Sequence, residues 1–522
     1  VKRIGVFGWG VVAPKSRNVE AFERNLESAE TWLTPFNGFG PDTFLVGMPD
    51  FDFEEYRPWI EARFPPSRFH QIRTKLGTPT LFAIGSYIQA LEQNPGLEEE
   101  LRRLDTRTHV YIGTGVGDLP TIYDASVALY HAQRRWDRFW SEPCRNSAYR
   151  AWVAAGRPAG EVPPDPATVG MDERDEAESR WWHYWAGRSP ELAEYLAEFR
   201  AIESARVEGE DIERAKLHTI KHKQRQLQAL QERWGAPPPP WNAVTANVIW
   251  NIHNTPASQI AMLGHYHGFS YAPIGACASF GVCLKLGMDA IRSGQATAVI
   301  VGAVEPVPHP LTVGSLYAGR VLAADGEVSL PLNGLRGTHV SGGAVVWIIG
   351  DWDHMTARGF RPLGMEPLAV GVSNDAYHII TPSREGPLIS IRHALVEAGI
   401  EPGALTSWDL HATATPGDYL EVENLREVLP DSVLVTARKG TFGHGMGAGG
   451  GWELLAQYLG YMRGRLHPTP LREDQLHPAI RGVHRLFVFD RACEVRPGPA
   501  GKLSMGVGGV NACVISRPLE GW

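Results

Sequence analysis

Cysteine is scarce. The 522-residue chain has five, Cys144, Cys277, Cys283, Cys493 and Cys513, and no C-x-x-C pair among them. So few thiols in a chain of this size exclude a disulfide framework, and reduced cysteines are expected. Long apolar runs are missing as well. Nothing approaches the ~20 residues needed to span a bilayer. The start, VKRIGVFGWGVV, has neither the longer apolar region nor the cleavage site of a signal peptide. A soluble, cytoplasmic protein with no membrane span is therefore expected. A positive excess is also lacking: the formal net charge of −8 argues against a general affinity for nucleic acid and leaves only local basic patches to consider. What the chain does have is apolar material, 43% of its residues, enough for a large core and more than one domain.

The pattern along the chain is that of an α/β protein. Residues 3–12, RIGVFGWGVV, read as a buried strand running into a glycine turn, and 109–117, HVYIGTGVG, repeat that design after helical stretches at 77–104. Neither run gives G-x-G-x-x-G opening a helix with an acidic residue about 20 positions on, so a dinucleotide site is rejected. Further strands are expected at 297–304, 343–349, 366–373, 407–411, 432–436 and 503–516, with helices at 280–293, 385–399, 418–429 and 447–464. This alternation predicts a mostly parallel sheet.

Residues near 126–240 differ. They carry Trp136, Trp140, Trp152, Trp181, Trp182, Trp185 and Trp234, many charges and few strand signals. Leu192, Tyr195, Leu196 and Phe199 share one helical face, and Ile220, Leu227, Leu230 and Trp234 another. Pro237 to Pro240 then stop the helix as a polyproline spacer. A helical insertion is expected. Its basic run KLHTIKHKQRQLQ follows the acidic EGEDIER, the alternation of a solvated helix face. His218 and His222 lie one turn apart but lack the glutamate of H-E-x-x-H and a third ligand, so no metal site is expected.

Chemistry gathers around PIGACASFGVCLKLGMDAIRSG, 273–294. Cys277 precedes a helical pattern, where unpaired backbone N–H groups and the helix dipole favour a thiolate and would lower the thiol pKa. Alone, it reads as core packing, as Cys283 does. Two downstream segments shift the balance. HATATPGD, 411–418, puts His411 at the end of a strand, and KGTFGHGMGAG, 439–449, puts Lys439 and His444 in a glycine-rich turn that opens another helix. A cysteine, two histidines and a lysine, each beside small residues that let a ligand approach, suggest one pocket.

At these residues the sequence resembles the β-ketoacyl-acyl-carrier-protein synthases of the thiolase superfamily, of the type with a Cys-His-His triad. The motifs GACAS, HATATPGD, KGTFGHGMGAG and GVGGVNA (506–512) follow in that family's order, and RIGVFGWGVVAP, IGTGVG and SNDAYHIITP fit it too. The resemblance covers the chain apart from the insertion. It implies a thiolase-like fold of two pseudo-repeated α/β halves, layered α-β-α-β-α. The first half would occupy 1–300, interrupted by the insertion at about 126–240, and the second 301–522. It further implies a 3-oxoacyl-ACP synthase that joins a Cys277-bound acyl group to malonyl-ACP with loss of CO2, in fatty acid, polyketide or related lipid biosynthesis. Backbone N–H groups of Cys277 and Val507 would form the oxyanion hole, and His411 and His444 would hold the malonyl thioester carbonyl. Lys439 would pair with Glu453, and Thr413 and Thr415 would bind pantetheine amides. Arg68, Arg73 and Lys75 would dock the acyl carrier protein. No cofactor is implied, since phosphopantetheine arrives on the carrier, and a homodimer is expected.

Three positions depart from the family pattern. The loop after His411 is one residue short, which would displace Asp418 and Glu421. Val507 stands where a phenylalanine gates the thiol, and Gly342 where an acidic residue is usual. The competing reading is a non-catalytic partner subunit resembling a chain-length factor, which the retained Cys277, His411, Lys439 and His444 argue against. A degradative thiolase would need a second reactive cysteine, and Cys513, inside NACVIS, does not supply it.

Overall fold

A computed structural model describes residues 2–40, 43–158, 160–207 and 211–519. The chain divides into two compact units, Val1–Pro120 with Ile249–Trp522, and Thr121–Val248.

The first unit is built on two five-stranded sheets. One contains β1 (Ile4–Val12), β2 (Thr108–Thr114), β3 (Ser270–Tyr271), β4 (Ala298–Glu305) and β5 (Gly343–Asp351), in the order β1-β5-β4-β2-β3. The other contains β6 (Met365–Asn374), β7 (Ser407–Asp409), β8 (Leu434–Thr436), β9 (Ala500–Gly506) and β10 (Val510–Pro518), in the order β6-β10-β9-β7-β8. Each strand of the first sheet thus has a counterpart in the second. The pairings match too: the first two contacts in each order are antiparallel and the last two parallel. The sheets are therefore mixed, not mostly parallel as the alternation predicts. In the second half the cause is local: 503–516 is not one strand but a hairpin, β9 and β10 joined at Val507–Gly509.

Four helices complete the layers. Helix α1 (Thr78–Glu92) covers the outer face of the first sheet and α3 (Glu385–Ala398) that of the second, while α2 (Ser279–Arg292) and α4 (Met446–Tyr461) pack on each other between the sheets. This is the α-β-α-β-α arrangement expected. Every residue of α4 is buried, as a helix walled by two sheets must be. Trp347, Phe280, Trp452 and Tyr458 fill the central layer. The expected division at 300 falls inside β4, because β5 returns to pair with β1 and β4; the second sheet begins only at Met365. The glycines of FGWG do not form a turn either. They lie inside β1, where a Cβ at Gly10 would stand 1.9 Å from Ser86 O, so the missing side chain lets α1 rest directly on the strand.

The second unit is helical, as expected, with boundaries somewhat wider than 126–240. Helices Arg174–Ala186, Pro190–Glu203 and Ile212–Trp234 lie within it. Its core is Trp136, Trp140, Ala186, Tyr195 and Leu230, with Leu192, Leu196, Phe199 and Trp234 packed against it. Ile220 instead stays exposed. Of the acidic EGEDIER segment, residues 208–210 lie outside the described residues. No helix among the described residues is long and apolar enough to cross a membrane.

Candidate active site

A short turn, Ala276–Ala278, carries Cys277 into α2. Ala276 sits at φ +46°, held there by Ser279, whose hydroxyl donates to Ala276 O at 2.7 Å and accepts from Gly275 N at 3.1 Å. The β9–β10 turn approaches from the second sheet, and the backbone N–H groups of Val507 and Cys277 itself reach the Cys277 sulfur. These are the two donors expected of an oxyanion hole. The thiol, however, is not activated at rest. Burial pushes its pKa up to about 11, outweighing the opposing pull of Lys439, so the expected lowering by the helix N-terminus is overturned by desolvation.

Below the thiol lies a carboxyl that sequence reasoning missed. Glu305, at the end of β4, accepts from Gly115 N at 2.5 Å, Gly447 N at 2.9 Å and Val116 N at 3.3 Å. It ties the IGTGVG turn to the start of α4, and burial pushes its pKa up to about 7. Only a lone acid after a run of apolar residues, AVIVGAVE, marked it in the sequence.

His411 follows β7 and His444 precedes α4; their rings meet edge to face with centroids 5.3 Å apart. Burial, then the charge of Lys439, holds both imidazoles well below the usual histidine range. Both are neutral near pH 7. Two acids beyond the short loop after His411 brace it. Glu421 accepts from His411 N at 2.6 Å and Ala412 N at 2.8 Å, and Asp418 accepts from Thr413 N at 2.8 Å, Ala414 N at 3.1 Å and Leu332 N at 2.9 Å. Desolvation raises Glu421 to about 8 and Asp418 to about 6. Thr413 and Thr415, half-buried, bring their hydroxyls to 3.0 Å.

Lys439 donates to His411 O at 2.5 Å and to Glu453 Oε1 at 2.6 Å, the pairing expected. A second buried lysine, Lys502 on β9, lies 2.8 Å from Glu453 Oε2 and was not anticipated. A cavity of about 250 Å³ is lined by Cys277, His411, Thr413, Thr415, His444 and Val507. Lys439 and Glu453 stand behind that wall. Val507 is 45% exposed at the cavity rim, leaving the thiol without an aromatic cover at that position. Gly342 could hold no acidic side chain, since a Cβ there would lie 2.2 Å from Pro306 O.

Arg68, Arg73 and Lys75 lie on the helix Pro66–Lys75 and do not line the cavity. Each is engaged. Arg68 bonds Gln259 and Gln71, Arg73 pairs with Glu54 at 2.5 Å, and Lys75 sits 4.7 Å over the Trp250 ring.

Comparison with known proteins agrees with this geometry. The Beta-ketoacyl synthase N-terminal domain model matches residues 199–350 and the C-terminal domain model residues 366–471. The chain is 28% identical over 283 residues to a chloroplastic 3-oxoacyl-[acyl-carrier-protein] synthase I of Hordeum vulgare, covering 52% of this chain and 60% of that protein. It is 31% identical over 212 residues to the Arabidopsis thaliana protein of that name, covering 39% and 45%. The chain thus spans about half the length of the curated relatives it matches. Among solved structures, an ishigamide ketosynthase/chain length factor superposes with a TM-score of 0.68 at 19% identity, over 99% of both chains. A β-ketoacyl synthase from Burkholderia phymatum does so with 0.68 at 16% identity, over 100% of both. With the two domain models spanning Cys277, His411, Lys439 and His444, the chain belongs to the β-ketoacyl synthase family of the thiolase superfamily.

Proposed function

We propose that this chain is a 3-oxoacyl-ACP synthase performing a decarboxylative Claisen condensation in fatty acid, polyketide or related lipid biosynthesis, as a cytoplasmic homodimer served by an acyl carrier protein. The observation that carries the reading is the single cavity that holds Cys277, both histidines and both threonines, with the Val507 N–H at the sulfur.

The chemistry follows from the charge states. Cys277 attacks the acyl thioester carbonyl, the carbon–sulfur bond to the carrier breaks, and the thiol proton leaves with the carrier's sulfur. The two backbone N–H groups stabilise the oxyanion. Malonyl-ACP then enters with its thioester carbonyl at His411 and His444. Each neutral imidazole has one N–H to donate, so cleavage of the carboxylate bond releases CO2 and leaves an enolate held by two hydrogen bonds. The enolate carbon attacks the acyl-Cys277 carbonyl, and the departing thiolate takes up a proton to restore the thiol. Thr413 and Thr415 would hold the pantetheine amides.

The dimer reading rests on β3, the edge strand of its sheet, which is flanked by Phe269 and Ile274, each 59% exposed. An unpaired edge with apolar neighbours is a template for pairing with a second copy. The carrier-docking role of Arg68, Arg73 and Lys75 belongs to the same proposal, though their existing partners leave the rim of that helix less positive than a free cluster would be.

Incubation with acyl-ACP, followed by peptide mass spectrometry, should place the acyl mass on Cys277; malonyl-ACP should then yield CO2 and a 3-oxoacyl product. Acylation without CO2 or product from any malonyl thioester would overturn the reading.

A further inference from the structure

Lys502 has no place in the steps above, yet its ammonium is among the most enclosed charges in the protein, at 1% exposure. It points inward from β9, whose other end leads to the turn at Cys277. Oxygen surrounds it. Glu453 Oε2 lies at 2.8 Å, Leu410 O at 3.2 Å and Asp409 Oδ1 at 3.7 Å, and its own neighbour Leu503 O also accepts from it. Glu453 is therefore shared between two lysines, one on each oxygen. Leu410 and His411 are consecutive residues, and their carbonyls go to different ammonium groups, Leu410 O to Lys502 and His411 O to Lys439. The backbone entering the histidine is thus gripped from two sides.

The groups facing Lys502 come from four elements. Asp409 lies on β7, Glu453 on α4, Glu421 on the helix Gly417–Val428 and Cys513 on β10, and Arg438 takes the other oxygen of Asp409 at 3.0 Å. Burial pulls the ammonium's pKa down, but Glu453 and Asp409 outweigh it and hold the pKa above the ordinary lysine value. The positive charge in turn opposes protonation of both His411 and His444, with Lys439 the larger contributor to each.

We infer that Lys502 is a positioning residue, a fixed internal cation that anchors the backbone leading from β7 into His411 and, together with Lys439, balances Glu453 behind the two imidazoles. The inference rests on the condensing role proposed above for its catalytic meaning, while its physical content concerns the histidines of the resting protein. A neutral side chain in its place leaves Glu453 with one cation where it had two, and that carboxylate's negative field then falls on the imidazoles.

The test uses the full chain with labelled histidine, followed by NMR through a pH titration, with His411→Ala and His444→Ala spectra assigning the two signals. Lys502→Met and Lys502→Gln are expected to move both imidazole midpoints to higher pH, while Lys502→Arg, which keeps the charge, stays near wild type. Gln serves where Met fails to fold, because it retains a donor for the Leu410 carbonyl. Malonyl-ACP decarboxylation should fall on the order of 10²-fold in kcat in the neutral variants, with partial rescue by Arg. A wild-type protein whose two imidazoles titrate at ordinary histidine values, or a Gln variant titrating as Arg does, overturns the inference. Absence of CO2 from wild type would sink the condensing role alone, since the NMR titration still decides the role of Lys502.

Discussion

The two halves of the first unit use one backbone frame for opposite purposes. Cys277 ends two residues before α2 begins (277 to 279) and His444 two before α4 (444 to 446), and these helices occupy matching places between two sheets of matching strand order. Around the thiol the near charge on its own half is a single buried carboxyl, Glu305. Around the imidazole stand Lys439, Lys502, Glu453 and the Arg438–Asp409 pair. Desolvation raises the thiol and lowers the histidines, so both halves rest uncharged at the cavity. The frame supplies position, and the local charge inventory decides what each position can do.

The sharpest way to separate the halves is to disable each in turn. Cys277→Ala should abolish acyl loading while malonyl-ACP decarboxylation persists. His444→Ala should leave acyl loading intact and cut CO2 release by about 10² to 10⁴-fold. Mass spectrometry of the peptide and trapped CO2 read the two outcomes; equal loss of both steps in both variants would show that the division is wrong. Next in size is Gly342→Ala on the first-half side, where the added Cβ meets Pro306 O at 2.2 Å. Overpacking of this kind costs about 1–3 kcal/mol, read as a lower melting temperature.

A smaller effect measures coupling between the halves. With its pKa at about 11, Cys277 should be alkylated by iodoacetamide at a rate that climbs with pH and does not level off below pH 10. Lys439→Met should slow that reaction a few-fold at pH 8, because the second half's lysine is the main charge drawing the proton off the first half's thiol. A plateau near pH 7 would contradict the resting state described.

The smallest effect is on stability. Glu305 and Glu421 titrate at about 7 and about 8 in the folded chain, above an unfolded value of roughly 4.3. A carboxyl with a raised folded pKa contributes stability below its unfolded value and loses it as pH rises through the folded one. His339 and His467, pushed down to about 4 and about 3 by burial, act the other way, losing stability as pH falls below roughly 6.5. Above that pH the raised carboxyls act, joined toward pH 8.5 by the raised Cys277 thiol in the same direction, so the melting temperature should fall between about pH 6.5 and 8.5. Glu421→Gln should flatten that slope, and an unchanged slope would place the titration elsewhere.

Much of this was legible along the chain. The helices at 280–293, 385–399, 418–429 and 447–464 were each placed to within a few residues, because amphipathic or all-apolar runs between glycines carry their own boundaries. The 503–516 segment misled, since Val507 and two glycines inside an apolar run look like a strand with small residues until Gly508 and Gly509 turn, at φ +89° and +80°. The thiol was misjudged for a different reason. A helix N-terminus is visible in sequence, whereas the complete burial that outweighs it is not.

Short motifs by themselves singled out the side chains that the proposed chemistry uses, because nucleophile, imidazole and lysine each need small neighbours that are local in the chain. Only the tertiary structure decided their charge states and their company: Glu305 bracing two glycine-rich segments, Glu453 shared between Lys439 and Lys502, and Glu421 capping the His411 loop. Those depend on desolvation and on contacts between residues far apart in sequence, and no local pattern records either.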